Sequence, residues 1–262
     1  MSSTASGGYP RLLRAVVRRE VVLFLRYPFE ALGTIVVLGV LFAGIFLGGT
    51  ALAGQAMADS IEGIVVGFFL WILAIGAYGD VAGDVAADAS WGTLERHYLT
   101  PFGFGPVLLA KAAAKLLTHF VYAGVLLAIA LVLTGTTLEL DLVTILPVAV
   151  FTVASAFGIG VAFGGLTVLY KNVTSWMELV NFVLAGLIAA PLVGNDLLLA
   201  LPLAQGSALL QRAMRDGVRL WEFEPASLAI LVGTGVGYLL VGYLVFTLCQ
   251  RRARRLGVLG DY

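Results

Sequence analysis

The sequence predicts an all-α integral membrane protein with six transmembrane helices. Hydrophobic residues make up 60% of its 262 residues and charged residues only 12%. Soluble proteins average about 25% charged residues, so a water-soluble enzyme of this size is excluded. A helix needs about 20 mainly apolar residues to cross the hydrocarbon core of a bilayer. Six stretches meet that length, at 31–52, 61–79, 107–133, 143–170, 176–193 and 227–250.

The remaining composition narrows the class further. The six segments lack the alternation of apolar and polar residues that the wall of a membrane β-barrel shows. Cys249 is the only cysteine, which excludes a disulfide scaffold. The formal net charge is zero, so no nucleic-acid partner is indicated. The chain is therefore predicted to form a single membrane domain, 1–262.

The Lys and Arg residues predict the orientation, because positively charged loops stay in the cytoplasm. Thirteen of the sixteen fall on one side of the predicted spans: Arg11, Arg14, Arg18, Arg19, Arg26, Arg96, Lys111, Lys115, Lys171, Arg251, Arg252, Arg254 and Arg255. The opposite side has only Arg212, Arg215 and Arg219. Both termini are therefore predicted to be cytoplasmic.

The segment before the first span predicts an amphipathic helix on the membrane surface, at 10–29, after a disordered tail at 1–9. Apolar residues recur at helical spacing between basic ones. The basic residues assigned to this interfacial helix are Arg11, Arg14, Arg18, Arg19 and Arg26. An ordinary positive-inside anchor would show the same pattern, and both interpretations stay open at this point.

The longest cytoplasmic loop is predicted at 80–105. Asp80, Asp84 and Asp88 share one face of a helix, and Lys111, Lys115 and His119 form a basic stripe at nearly the same period. These two stripes either pair with each other or extend separately into solvent. The spacing of the carboxylates, without further His or acidic neighbours, does not favour a metal site.

The segment 195–225, between spans five and six, predicts an outer re-entrant region. A short apolar run, Leu197–Leu203, cannot cross the bilayer, and Gln205–Val218 has an amphipathic pattern. Two short helices that enter and leave the same face of the membrane fit this pattern, provided protein shields their backbone. An outer loop lying on lipid is the alternative.

No sequence motif for catalysis is present. A phosphate-binding loop is absent, because Ala110 stands where the second glycine before Lys111 would be needed. With only His97 and His119, no H-E-x-x-H metal site exists. No carboxylate lies in the middle of a span, where ion-coupled carriers usually need one. We therefore expect no catalytic residue, no cofactor and no metal in this chain.

The most specific motif runs from Ser90 to Pro101 in the cytoplasmic loop. Its residues Gly92, Thr93, Leu94, Glu95, Thr100 and Pro101 resemble the G-T-L-E-x-x-x-x-T-P loop of the ABC-2 (type-2) family of ABC transporter permeases. Arg26-Tyr27-Pro28 is similar to the end of that family's connecting helix, and Leu201-Pro202-Leu203 to its outer re-entrant region. The residues before Gly92 depart from the family pattern, and the outer segment lacks the Asn-Pro and Tyr common in drug exporters.

The resemblance implies a function and partners. Such a chain is the permease subunit of an ABC exporter, forming the translocation path as a homodimer or with a related permease. The loop from Gly92 to Pro101 forms a coupling helix that contacts a separate ATPase subunit, which holds the ATP and Mg. The implied location is the prokaryotic plasma membrane, as a multi-pass protein in the lipid bilayer. The substrate is not predicted.

Two other classes of function remain open from the sequence. A self-contained channel or ion-coupled carrier would need polar side chains facing a pore, and the spans offer Thr152, Ser155 and Asn181. A membrane scaffold without transport activity would need no coupling loop.

Overall fold

The computed structural model describes residues 8–53, 60–90, 104–170, 173–189 and 196–256. These residues form eight α-helices and two short 3-10 helices, and they contain no strand. The α-helices are α1 (Gly8–Arg26), α2 (Pro28–Ala53), α3 (Ile61–Ser90), α4 (Phe104–Thr134), α5 (Leu142–Tyr170), α6 (Thr174–Ala189), α7 (Ala204–Arg215) and α8 (Pro225–Leu256). The 3-10 helices are Asp196–Ala200 and Leu220–Glu222.

Five helices are long and apolar enough to span a membrane: α2, α3, α4, α5 and α8. The prediction of an all-helical, multi-pass membrane protein is therefore confirmed. The predicted fifth span, 176–193, corresponds to the shorter helix α6, whose apolar part is Ser175–Ile188. Residues 190–195 lie outside the described part of the chain.

Helices α3 and α5 form the centre of the bundle. In their most apolar windows, 61% of α3 and 56% of α5 are buried, compared with 11% of α2 and 17% of α8. Glycines bring the central backbones together: Gly158 of α5 lies directly against Gly242 of α8. A Cβ on Gly160 of α5 would lie only 2.6 Å from the backbone oxygen of Tyr78 in α3. Small residues at these positions permit the close approach.

The long helices alternate in direction, which defines two ends of the bundle. Helices α3, α5 and α8 are parallel, as shown by the pairs Tyr78/Gly160, Val85/Gly164, Phe151/Gly235 and Phe246/Gly165. Helices α4 and α6 run antiparallel to α3. We call the end where α3, α5 and α8 finish the Ser90 end, and the opposite end the α7 end.

Helix α3 continues past the predicted end of the second span and finishes at Ser90. The first part of the segment predicted as a loop, 80–105, is therefore helical. Hydropathy ends the span at Gly79 because Asp80 and Asp84 follow it. In the structure these carboxylates are partnered by side chains of α4, so the helix can continue beside its neighbour.

The predicted interfacial helix, 10–29, corresponds to α1 and the first residues of α2. Helix α1 ends at Arg26, because a residue that precedes a proline disfavours the helical conformation. Pro28 then begins α2, at a position where its missing N–H is not needed. The half-buried side of α1 packs against α4, and the rings of Phe24 and Tyr122 lie 5.7 Å apart. The predicted tail, 1–9, lies mostly outside the described residues.

Candidate functional site

A groove runs along α3 and is partly open to the side of the bundle. Its volume is about 960 Å³, and it is lined by α2, α3, α6 and α7. The middle of the groove is apolar, with Leu41 and Ile45 from α2, Phe68 and Trp71 from α3, and Phe182 from α6. Polar side chains line it only toward the two ends. The groove is therefore apolar in its middle and polar toward both ends.

At the α7 end, the groove carries a charge that is already paired. Arg215 Nε donates to Glu62 Oε2 at 3.3 Å, and Arg215 Nη1 donates to Gln211 Oε1 at 3.3 Å. Gln211 fits there because Gly63 faces it without a side chain of its own. Arg215 is thus ion-paired with a carboxylate from another helix, and both side chains are partly exposed.

Toward the Ser90 end, the groove is lined by two polar side chains of α6, Glu178 and Asn181. Their spacing places both on the same face of the helix. Tyr78 fixes this part of α6 to α3, because its hydroxyl donates to the backbone oxygen of Met177 at 3.1 Å. The Oδ1 atom of Asn181 is buried and accepts no hydrogen bond from the described residues. A buried acceptor without a donor is unusual in a folded protein.

Helix α7 begins deep in the bundle and rises toward the α7 end. The backbone N–H of Leu203, just before α7, donates to Ser155 Oγ at 3.1 Å. Ser155 Oγ in turn donates to the backbone oxygen of Thr152 at 2.7 Å. Ser207 Oγ donates to the backbone oxygen of Ile188 at 2.9 Å. Ser155 therefore holds the start of α7, the side chain of Thr152 packs against Gly206 of α7, and neither of them lines the groove.

The residue before α7 is conformationally unusual. Leu203 has a φ of 66°, in the left-handed region that costs a non-glycine residue about 1–2 kcal/mol. Its side chain is buried, and the backbone oxygen of Leu203 accepts from the N–H of Ser207 at 2.8 Å. Packing and hydrogen bonding together outweigh the backbone cost, so the turn into α7 is tightly fixed.

At the Ser90 end, two polar pairs connect α3 with α4. Lys115 Nζ donates to Asp84 Oδ1 at 2.6 Å, and His119 Nε2 lies 2.9 Å from Asp80 Oδ2. The ring of His119 occupies the space that Gly76 leaves on α3. Of the two interpretations of the charged stripes, pairing is therefore confirmed for these residues. The side chain of Asp88 is not among those described.

The predicted coupling residues Gly92, Thr93, Leu94, Glu95, Thr100 and Pro101 lie outside the described residues. Their role stays a prediction, as does the lipid contact assigned to the basic residues of α1. Those basic residues, Arg11, Arg14, Arg18, Arg19 and Arg26, are all exposed. Within the described ranges, no group of three or more His, Cys, Asp or Glu side chains could hold a metal ion.

The groove is not predictable from the sequence pattern, because four helices that are distant in the chain build it. One signal was available: an asparagine in an otherwise apolar helix is expensive in a membrane unless it has a function or a partner. From the sequence alone, Asn181 is only a candidate pore residue of the channel alternative. The structure places it in the groove, three residues from Glu178 on α6.

The long apolar helices define a multi-pass helical membrane protein. A comparison with protein families supports this directly: the family described as ABC-2 type transporter matches residues 11–188, from α1 to α6. The match covers more than half of the chain, so this chain belongs to the ABC-2 type transporter family and is a transporter permease. No curated protein matches the chain.

Proposed function

We propose that this permease is the membrane subunit of an ATP-driven exporter and that cargo passes along the α3 groove. The observation that carries the proposal is the groove itself, which has a volume of about 960 Å³, an apolar middle and polar residues toward both ends. A passage of this kind suits cargo that is largely apolar and has a polar group. Membership in the ABC-2 type transporter family supports transport as the activity.

The energy for transport would come from a separate ABC ATPase, which would bind the ATP and Mg. The sequence has no phosphate-binding loop of its own. The proposed contact is the coupling segment from Gly92 to Pro101, which connects α3 with α4. Because Asp80 and Asp84 are bonded to α4, a movement of the segment would reach both helices together. The permease would act as a homodimer or with a related permease, and no catalytic residue is expected in it.

We further propose that α6 completes a set of six spans. Helix α5 finishes at the Ser90 end and α8 begins at the α7 end, so the chain must cross the bundle between them. Helix α6 runs antiparallel to α3 in this interval, from Met177 beside Tyr78 to Ile188 beside Gly67. Its 16 residues correspond to roughly 24 Å, a little less than the hydrocarbon core, and the chain continues beyond Ala189. This supports the predicted fifth span.

The Ser90 end would face the cytoplasm of a prokaryotic cell, with both termini inside. Thirteen of sixteen basic residues belong to the segments at that end, as the positive-inside rule requires. Helix α1 would lie at the cytoplasmic membrane surface, with its exposed arginines toward lipid headgroups. Helix α7 and the preceding 3-10 helix would form the outer re-entrant region, which the depth of Leu203 beside Ser155 supports.

The orientation can be tested by cysteine labelling in a Cys249→Ala background. We expect an impermeant thiol reagent to label Asp216→Cys in intact cells, because Asp216 is exposed at the α7 end. Arg251→Cys should react only after the membrane is permeabilised. The reverse pattern would show that the Ser90 end faces outward.

The proposed function can be tested by narrowing the groove. Ile45→Trp adds volume inside it, whereas Val40→Trp, on the same helix, adds the same side chain to an exposed position that does not line it. In vesicles containing the permease and its ABC ATPase, we expect Ile45→Trp to reduce cargo-stimulated ATP hydrolysis several-fold and Val40→Trp to leave it unchanged. The permease alone should hydrolyse no ATP. Equal activity of the two variants would exclude the groove as the path.

The structure also bears on the alternative of a self-contained channel. That alternative needs Thr152, Ser155 and Asn181 in a pore, and of these three only Asn181 lines the groove. Both hydroxyls are buried: that of Thr152 donates to the backbone oxygen of Val148, and that of Ser155 donates to the backbone oxygen of Thr152 and accepts from the N–H of Leu203. They are therefore not available to an ion. A membrane scaffold without transport activity would not require a groove of this size.

A further inference from the structure

We propose that the α3 groove selects amphipathic amines, with a primary ammonium group bound by Glu178 and Asn181 and an apolar tail along Trp71. This inference rests on the proposed function, since it assigns a class of cargo to the same groove. Three properties of the groove support this class of cargo: the unpaired acceptors at one end, the paired charge at the other, and the apolar wall between them.

The first property is the set of acceptors toward the Ser90 end. Glu178 lines the groove, its side chain is exposed, and it forms no ion pair with any described residue. Asn181, one turn further along α6, lines the same part of the groove, and its Oδ1 atom is buried without a donor among the described residues. A carboxylate and an amide oxygen are both hydrogen-bond acceptors. Together they match a cation that carries several N–H donors.

The second property is the charge distribution over the whole groove. At the α7 end, Arg215 is paired with Glu62 at 3.3 Å and contacts Gln211, so the carboxylate partly offsets the attraction of an anionic head to Arg215. Its positive charge still disfavours a cation at that end. The lowest energy for a charged head is therefore beside Glu178, and an ammonium is favoured there over a carboxylate or sulfate.

The third property is the length and chemistry of the wall. The contacts between α3 and α6 place Asn181 about one helical turn closer to the Ser90 end than Trp71. From that point the groove continues past Trp71, Phe68 and Ile64 to Ser60. At about 1.5 Å per residue, α3 is roughly 22 Å long from Ile75 to Ser60. This length accommodates an extended alkyl chain of about twelve carbons.

The experiment uses Trp71 as the reporter. The other three tryptophans, Trp91, Trp176 and Trp221, are replaced by phenylalanine, and the full chain is placed in nanodiscs of zwitterionic phosphatidylcholine. Three probes share one dodecyl chain with bromine at its middle and differ in the head: ammonium, hydroxyl or carboxylate. Bromine quenches tryptophan fluorescence on close contact, so quenching reports a tail that lies beside Trp71.

We expect the ammonium probe to quench Trp71 at concentrations at least about fivefold lower than the alcohol or the carboxylate. Glu178→Gln should remove most of this preference, weakening the ammonium about fivefold and leaving the alcohol unchanged. Asn181→Leu should weaken the ammonium further in the double variant. Glu224→Gln, at an exposed glutamate outside the groove, is the matched control and should change nothing. A trimethylammonium probe, which has the charge without N–H donors, should bind less tightly than the primary ammonium.

The inference is overturned if the three heads quench equally, or if Glu178→Gln leaves the preference for ammonium intact. These outcomes do not depend on the ATPase, so they are separate from the proposed function. A groove that binds the ammonium selectively, in a complex that fails to move it, would contradict transport along the groove and leave the binding site standing. Transport by the complex without any preference among the three heads would support the groove as the path and contradict the selection of amines.

Discussion

Gly242→Leu is expected to prevent the protein from forming a stable bundle. A Cβ at this position of α8 would clash with the backbone oxygen of Gly158 in α5. The backbone cannot move aside as a flexible side chain can. Helices α5 and α8 form the most extensive contact in the described part of the bundle, so separating them affects the whole fold. Overpacking typically costs 1–3 kcal/mol, and we expect about 3 kcal/mol or more here.

The measurement is thermal unfolding of the purified protein in detergent, with the yield of the monodisperse fraction as a second readout. Gly237→Leu provides a matched control, because it makes the same change on the same helix where no atom lies within 4 Å of an added Cβ. We expect its melting temperature to stay close to that of the original protein. Two variants that unfold at the same temperature would show that the α5–α8 contact is looser than described.

The glycines also show what the sequence could predict of the packing. The G-x-x-x-G spacing occurs both at Gly160/Gly164 and at Gly233/Gly237. The first pair packs against α3, whereas the second has open space around it. The spacing alone cannot separate these cases, since it says that close approach is possible and not which helix is present to make it.

The long spans were predictable because hydropathy and helix length suffice for them. The predicted span 143–170 differs by one residue from α5, Leu142–Tyr170, since a continuous apolar run must be helical inside a membrane. The extension of α3 to Ser90 was not predictable from hydropathy. It depends on Lys115 and His119, which come from another helix and partner the aspartates that seem to end the span.

The candidate site was less predictable than the fold. The groove depends on the register between α3 and α6, which Tyr78 and Met177 fix across a long separation in the chain. In the sequence, Glu178 looks like an ordinary charge at a span end and Asn181 like an isolated polar residue. Only the folded structure shows that both residues line one end of the groove that also contains Trp71.

The second prediction with a large expected effect concerns Glu95 in the coupling segment. Glu95→Ala should leave membrane insertion and thermal stability unchanged, because no apolar span is altered. Cargo-stimulated ATP hydrolysis by the complex should fall strongly, since a carboxylate at this contact can form a charge-assisted hydrogen bond to the ATPase. Loss of a buried charge partner at an interface costs about 2–5 kcal/mol of binding. Glu95→Gln, which keeps the shape, separates the charge from the volume of the side chain.

The control for Glu95 must be chosen with the paired aspartates in mind. Asp84→Ala looks neutral from the sequence, yet it would leave Lys115 without its partner at 2.6 Å and loosen α3 from α4. Glu224→Ala is the better control, because Glu224 is exposed and lies at the α7 end. If Glu95→Ala and Glu224→Ala give the same ATP hydrolysis and the same affinity for the ATPase, Glu95 has no role in coupling. If Asp84→Ala also lowers coupled hydrolysis while ATPase affinity is retained, the bonds between α3 and α4 transmit the movement that the coupling segment receives.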